Sequence, residues 1–385
     1  MHRIVGLTWD HPRGHDALAA AATSLRALDV DLRWEVHPLE GFESAPIADL
    51  AAGYDLIVLD HPHLGDALAA DCLQPMEEVI GDDEIAALSS RVVGPSLRSY
   101  QARGLTWALP LDAATQVAAC RADLSGSAPT TWEDVRALSY EAPVALSVSG
   151  PHAYLTFASV CHGLGSPLAH SAAERIVDDA VGLEAIALLA DLFSRAPEGS
   201  GGQNPIALLE RMCATDEIAY IPLVYGYVNY ADRARRHPLE FGPSPVGRGG
   251  CSGSTIGGTG LAVTRRAEVP AALRAHLVWL LSDSTQAGFI PRNAGQPSAV
   301  AAWEDAELDA RFGGFYRRTR STIDTAWVRP RFAGFTAVQS EMSHVLRDAM
   351  RGAVGARDAL RTITSLQNNE YERSAAADVE RSSLA

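Results

Sequence analysis

The tripeptide Asp-His-Pro occurs twice, as Asp10-His11-Pro12 and Asp60-His61-Pro62, each time just past a short apolar run. A carboxylate beside an imidazole can hold or move a proton near neutral pH, or share a divalent cation. Trp9 and Arg13 flank the first copy and His63 follows the second. An indole face stacks on the apolar face of a sugar ring, while Asp and Arg meet hydroxyls or a carboxylate. The plainer alternative is structural, with Trp9 in the core and Asp10 and Asp60 capping the helices that follow. Neither pair has the i, i+4 spacing of a helical metal motif, and neither a metal nor a cofactor is expected.

Both tripeptides need a strand behind them and a helix ahead, and the pattern supplies both. Residues 3–8 read as a short buried strand, 16–28 as an Ala/Leu-rich helix, 31–37 as a second strand and 46–52 as a short helix. Residues 54–59 form a continuous apolar run, followed by a helix over 64–70. Strands alternating with helices at this spacing predict βαβ units and a parallel sheet, in which ligands gather beyond the carboxyl ends of the strands. Further strands are expected at 105–111, 117–121, 144–148 and 217–222, with another entered through Gly257-Gly258-Thr259-Gly260. Pro129-Thr130-Thr131-Trp132-Glu133-Asp134 has the form of a helix start, with a Thr cap and acids in the first turn. Helix is expected from about 338 to 366, and the small, charged residues 374–385 read as a frayed tail.

The 385 residues exceed the roughly 250–300 at which single cores stop growing, so two domains are expected. A net charge of −15 opposes binding to nucleic acid or an anionic membrane. All 32 basic residues other than His are Arg, which excludes lysine Schiff-base chemistry and a P-loop lysine. The five cysteines form no CxxC pair and read as apolar thiols, with Cys161-His162 inside a helix. No Gly-x-Ser-x-Gly elbow is present. Met1-His2-Arg3 runs straight into Ile4-Val5-Gly6-Leu7, too short for the apolar region of a signal peptide. A complete chain of this kind is expected in the cytoplasm; one whose leader was removed is expected in the periplasm or outside the cell.

The order of segments resembles the type 2 periplasmic solute-binding proteins, the maltose-binding branch of extracellular solute-binding family 1 that serves ABC importers. The passage YDLIVLDHPHLG at 54–65 with Leu73-Gln74-Pro75-Met76 is similar to the family's strand, ligand loop and helix. The most specific likeness is TWALPLD at 106–112, then 118–124, then PTTWEDVRAL at 129–138, resembling the first hinge crossing and the helix after it. Residues 212–224, 257–263, 271–281, Gln286 and Gly295-Gln296-Pro297 resemble the second crossing and the return to the first lobe. The Asp-His-Pro pair has no counterpart in the family's general pattern.

The resemblance implies an α/β fold of two lobes, each a mixed, mainly parallel sheet flanked by helices, joined by a multi-strand hinge. One lobe would comprise 1–112 with about 256–310, the other about 113–255 with about 311–372, leaving 373–385 as the tail. A small polar ligand, a carbohydrate or an organic acid, would be bound as the lobes close, without catalysis. Its expected contacts are Trp9, Asp10, His11, Arg13, Asp60, His61, His63 and Asp112, the last ending the first hinge strand. Ser149 and His152 begin a helix of the second lobe, whose free amides favour an anion or hydroxyl. Tyr225, Tyr227 and Tyr230 suit a stacking platform, and Gly257, Gly258 and Gly260 a tight hinge or close backbone approach. Trp327, Arg292 and Gln296 are lesser candidates; Arg329 and Arg331 suit solvent equally well. The expected partners are the ligand and an ABC permease, with the protein itself a monomer. The alternative is a cytoplasmic enzyme on the same scaffold, with Asp10, His11, Asp60 and His61 as acid and base.

Overall fold

A computed structural model describes residues 2–39, 41 and 45–384, with side chains as far as 381. Two compact units divide the chain: Met1–Ala113 with Gly257–Leu308 and Arg331–Ala333, and Ala114–Ile256 with Asp309–Pro330 and Gly334–Ala385.

The first unit is built on β1 (His2–Trp9), β2 (Val30–His37) and β3 (Leu56–Leu59). β1 pairs in parallel with both β2 and β3. The Pro12–Leu25 helix supplies the crossover between the first two. All four residues of β3 are buried because helices cover both faces of the sheet. Leu56 and Val58 join one apolar cluster with Leu18 and Leu32, while Ile57 and Leu59 join another with Leu64 and Tyr100. This alternation explains why residues 56–59 are apolar throughout rather than at every second position. A hairpin of β4 (Gln101–Ala102) and β5 (Leu105–Thr106) precedes β6 (Leu109–Cys120).

β6 differs from expectation. A single twelve-residue strand with every residue buried replaces the two strands expected at 105–111 and 117–121. Its centre holds Asp112, Thr115 and Gln116, whose polarity breaks the apolar pattern, yet each has partners inside the protein. The chain passes from the first unit to the second within this strand and returns within β9 (Ile256–Val263), which runs antiparallel to β3.

In the second unit the closing residues of β6 pair antiparallel with β7 (Tyr220–Tyr225) and β8 (Glu240–Gly242). The strand expected at 144–148 reduces to a single bridge, Val144 with Tyr220. The buried helix His152–Gly163 packs against Phe335–Met350, which packs in turn on Ala356–Leu384. The helix expected over 338–366 is thus two, separated at Gly352, whose φ of 75° is left-handed. Residues 374–384, read as a frayed tail, continue the last helix, and Ser374 is buried. Thr131 closes a capping box with Asp134 at the start of Trp132–Leu138, as the sequence predicts.

Candidate functional site

In the first unit, the candidate residues sit where β1 and β3 hand over to turns and helices, with Asp112 inside β6 rather than at its end. Trp9 is buried in the apolar cluster, its ring lying over Gly14 so closely that a Cβ there would meet a ring atom at 2.4 Å. Asp10 is exposed, and the cap of the Pro12–Leu25 helix is His11, whose Nδ1 accepts from the Arg13 N–H at 3.1 Å. Capping therefore falls to the imidazole, not to the aspartate beside it.

Arg13 points inward. Its Nε donates to Asp112 Oδ2 at 2.7 Å and its Nη2 to Oδ1 at 3.0 Å, with both side chains only 4% exposed. Asp112 Oδ1 also accepts the Thr259 N–H at 2.9 Å. A bidentate, charge-assisted pair of this kind fixes orientation as well as charge.

At the second tripeptide, Asp60 caps a short turn by accepting the His61 N–H at 2.9 Å. His61 is fully buried, its Nδ1 3.3 Å from Asp60 Oδ1 and its ring edge-on to Tyr100 with centroids 6.2 Å apart. His63 is buried in the same turn. The Tyr100 hydroxyl shares its hydrogen bond between the carbonyls of Leu59 (3.1 Å) and Gly258 (3.3 Å). Gly258 sits at φ 85°, a conformation costly for a residue with a Cβ. Tyr100 lies in a segment without a readable motif, and its role shows only in three dimensions. Gln296 is buried and donates to the Ala113 carbonyl at 2.7 Å, whereas Arg292 is exposed. Arg331 is not simply solvated. Its Nη1 donates to the carbonyls of Arg98, Ser99 and Gln101, and burial lowers the pKa of its guanidinium.

The second unit carries the other candidates. Ser149 donates to the Gly202 carbonyl at 3.2 Å, and Gly150 turns the chain with φ 52° into the His152–Gly163 helix. His152 is buried, edge-on to Tyr225 at 5.9 Å. The Tyr225 hydroxyl donates to the Ile256 carbonyl at 3.4 Å. Tyr227 packs edge-on against Tyr230, over which the Arg235 guanidinium lies at 4.5 Å. Trp327 stacks at a tilt on His170, 5.4 Å between centroids. Its indole N–H is buried without a hydrogen-bond partner among the described residues. Arg329 is buried rather than solvated.

Two residues with no advance signal fix the turn at 148–151. Ser343 donates to the Pro151 carbonyl at 2.9 Å and accepts the Tyr154 N–H at 3.1 Å. Arg347, largely buried, donates to the carbonyls of Val148 (3.1 Å) and Gly150 (2.5 Å). Both come from a helix nearly two hundred residues away, beyond what local pattern can reveal.

Among the described residues, no three of His, Cys, Asp and Glu gather as a metal ion would require. Cys161 and His162 lie within a helix, as expected; burial raises the pKa of the thiol and lowers that of the imidazole, which opposes an ion pair between them. A groove of about 780 Å³, lined by Arg175, Ile176, Arg357, Leu360 and Asn368 among others, involves none of the candidates.

Comparison with known proteins follows the same lines. The chain is similar in structure to an ABC transporter solute-binding protein from Agrobacterium radiobacter K84 in complex with ribitol, with 20% identity, a TM-score of 0.80, and 96% and 98% of the two chains covered. It is similar to maltose-bound MalE3 of T. maritima, at 18% identity, a TM-score of 0.79, and 95% and 98% covered. A third likeness is to a solute-binding protein of Thermotoga lettingae bound to α-D-tagatose, at 13% identity, a TM-score of 0.79, and 96% and 100% covered. A search of curated proteins finds no match. The model of one family matches residues 17–287, most of the chain, and on that match the chain belongs to the bacterial extracellular solute-binding proteins.

Proposed function

We propose that this solute-binding protein takes an uncharged, polyhydroxylated ligand, a sugar or a polyol, and delivers it as a monomer to an ABC permease. The observation that carries the ligand class is the pairing of Arg13 with Asp112. A carboxylate or phosphate ligand would need a cation to answer it, and Asp112 already answers the charge of Arg13. The remaining candidates offer what a sugar uses. Asp10, Asp60 and Ser149 supply groups for hydroxyls, while Tyr225, Tyr227 and Trp327 supply ring faces. His11, His61, His63 and His152 add donors or acceptors, and Gly257 and Gly258 allow close backbone approach. The ribitol, maltose and tagatose bound by the similar proteins support this class. The family's extracellular description fits the location expected of a chain whose leader was removed.

The test is titration calorimetry and thermal shift with ribitol, D-mannitol, tagatose and maltose, set against dicarboxylates and sugar phosphates. Stabilisation by a member of the first set and not the second is expected, and Tyr225→Ala should weaken it. Silence to every polyol and sugar, or preference for the anions, refutes the proposal.

A further inference from the structure

We propose that Arg13 and Asp112 are positioning residues, linking the β1 turn to both strands through which the chain leaves and re-enters the first unit. The inference rests on the ligand-binding reading above but goes past it, assigning these two residues a role that needs no contact with ligand.

The argument begins with connectivity. The backbone N–H of Arg13 is held by His11 Nδ1, so the start of the helix and the tripeptide form one rigid turn. The side chain of the same arginine reaches Asp112, 99 positions along the chain, through two hydrogen bonds. Asp112 lies in β6 one residue before the first unit ends, and its Oδ1 also takes the Thr259 N–H, three residues into β9. One carboxylate therefore joins three stretches: the Trp9–Arg13 turn, the outgoing strand and the returning strand.

Burial gives the arrangement its stiffness. Both side chains are 4% exposed, so water cannot replace the lost partner when either moves. The planar guanidinium meets both carboxylate oxygens, which fixes rotation as well as distance. Gly258, immediately before Thr259, holds φ 85°, and its carbonyl accepts from Tyr100. The returning strand is thus gripped on consecutive residues, by Tyr100 at Gly258 and by Asp112 at Thr259. A shift of either strand is passed to the turn bearing Asp10 and His11, and a ligand ordering that turn biases the strands in return.

The experiment uses the full chain with Asp112→Asn and with the double variant Arg13→Met/Asp112→Leu. The asparagine keeps an acceptor for Thr259 but removes the charge that orients Arg13. The double variant removes both charges together, and so avoids the uncompensated buried charge that truncating one partner would leave. Amide hydrogen exchange at Arg13, Gly14 and His15 should accelerate by about tenfold or more in both, while the double variant, which also leaves the Thr259 N–H without its acceptor, melts somewhat lower but stays folded. Affinity for whichever of ribitol, D-mannitol, tagatose and maltose the wild type binds should fall about tenfold, and equally for each monodeoxy analogue. Unchanged exchange at the turn overturns the proposal, as does unfolding of both variants, which would make the pair merely structural. An affinity loss that vanishes for one deoxy analogue also overturns it, because Asp112 or Arg13 would then touch that hydroxyl. A wild type that binds none of these compounds refutes the ligand class alone, and the exchange data still decide the linkage.

Discussion

His276 offers a pH dependence whose size can be worked out in advance. The ring is 5% exposed in the Ala271–Leu280 helix, tilted on Trp279 with centroids 5.6 Å apart, and its Nε2 has no hydrogen-bond partner among the described residues. Burial disfavours the imidazolium and lowers the pKa from 6.5 to about 4. In the unfolded chain the ring takes a proton near pH 6.5, whereas the folded protein refuses it until about pH 4. Between those values the unfolded state binds more protons, so stability falls as the pH is lowered. The contribution is complete above pH 6.5, is lost progressively towards pH 4, and amounts to about 3 kcal/mol over that window. Other groups titrate in the same range, so the measurement is a difference. Urea unfolding of wild type and His276→Phe, followed by tryptophan fluorescence, should be compared at pH 7 and at steps down to pH 4. The phenylalanine keeps a packed ring and loses the titration, so its stability relative to wild type should grow by about 3 kcal/mol. A difference that does not change with pH refutes the reasoning, and with it the view that this imidazole is neutral and unassisted in the fold.

Two further substitutions test local packing. Gly14→Ala places a methyl within 2.4 Å of the Trp9 ring. It should lower stability by about 1–3 kcal/mol in urea unfolding despite the better helix propensity of alanine. Trp9→Leu in the same chain should relieve most of that loss. Thr131→Ala removes the side-chain acceptor for the Asp134 N–H, and should lower the melting temperature by about 2 °C without affecting ligand affinity.

How much of this was legible in the sequence depends on the range of the interaction. β1 and β3 were visible because burial on both faces demands an unbroken apolar run, and the Thr131 box because its two members are three residues apart. β6 was misread as two strands because Asp112, Thr115 and Gln116 look like a break until their partners are known. Arg13 was legible as important but not in what it faces, since nothing near position 13 points to position 112. His11 and Asp10 exchanged the expected capping role because either side chain can reach the first turn, and only backbone geometry chooses. Residues 374–385 looked frayed on composition, yet as far as 384 they continue the last helix, and Ser374 is buried. Tyr100, Ser343 and Arg347 carried no local mark at all.

The dependence of the 148–151 turn on Ser343 and Arg347 has a consequence for biogenesis. A ribosome or a translocation channel releases this chain from its amino end, so the turn emerges long before the helix that braces it. Until then Val148 and Gly150 must leave their carbonyls to water, and His152–Gly163 lacks the cover that Phe335–Met350 gives it. Nascent chains halted before residue 335 should therefore be recognised by chaperones and cut readily by proteases in this segment, and acquire resistance only as the final fifty residues arrive.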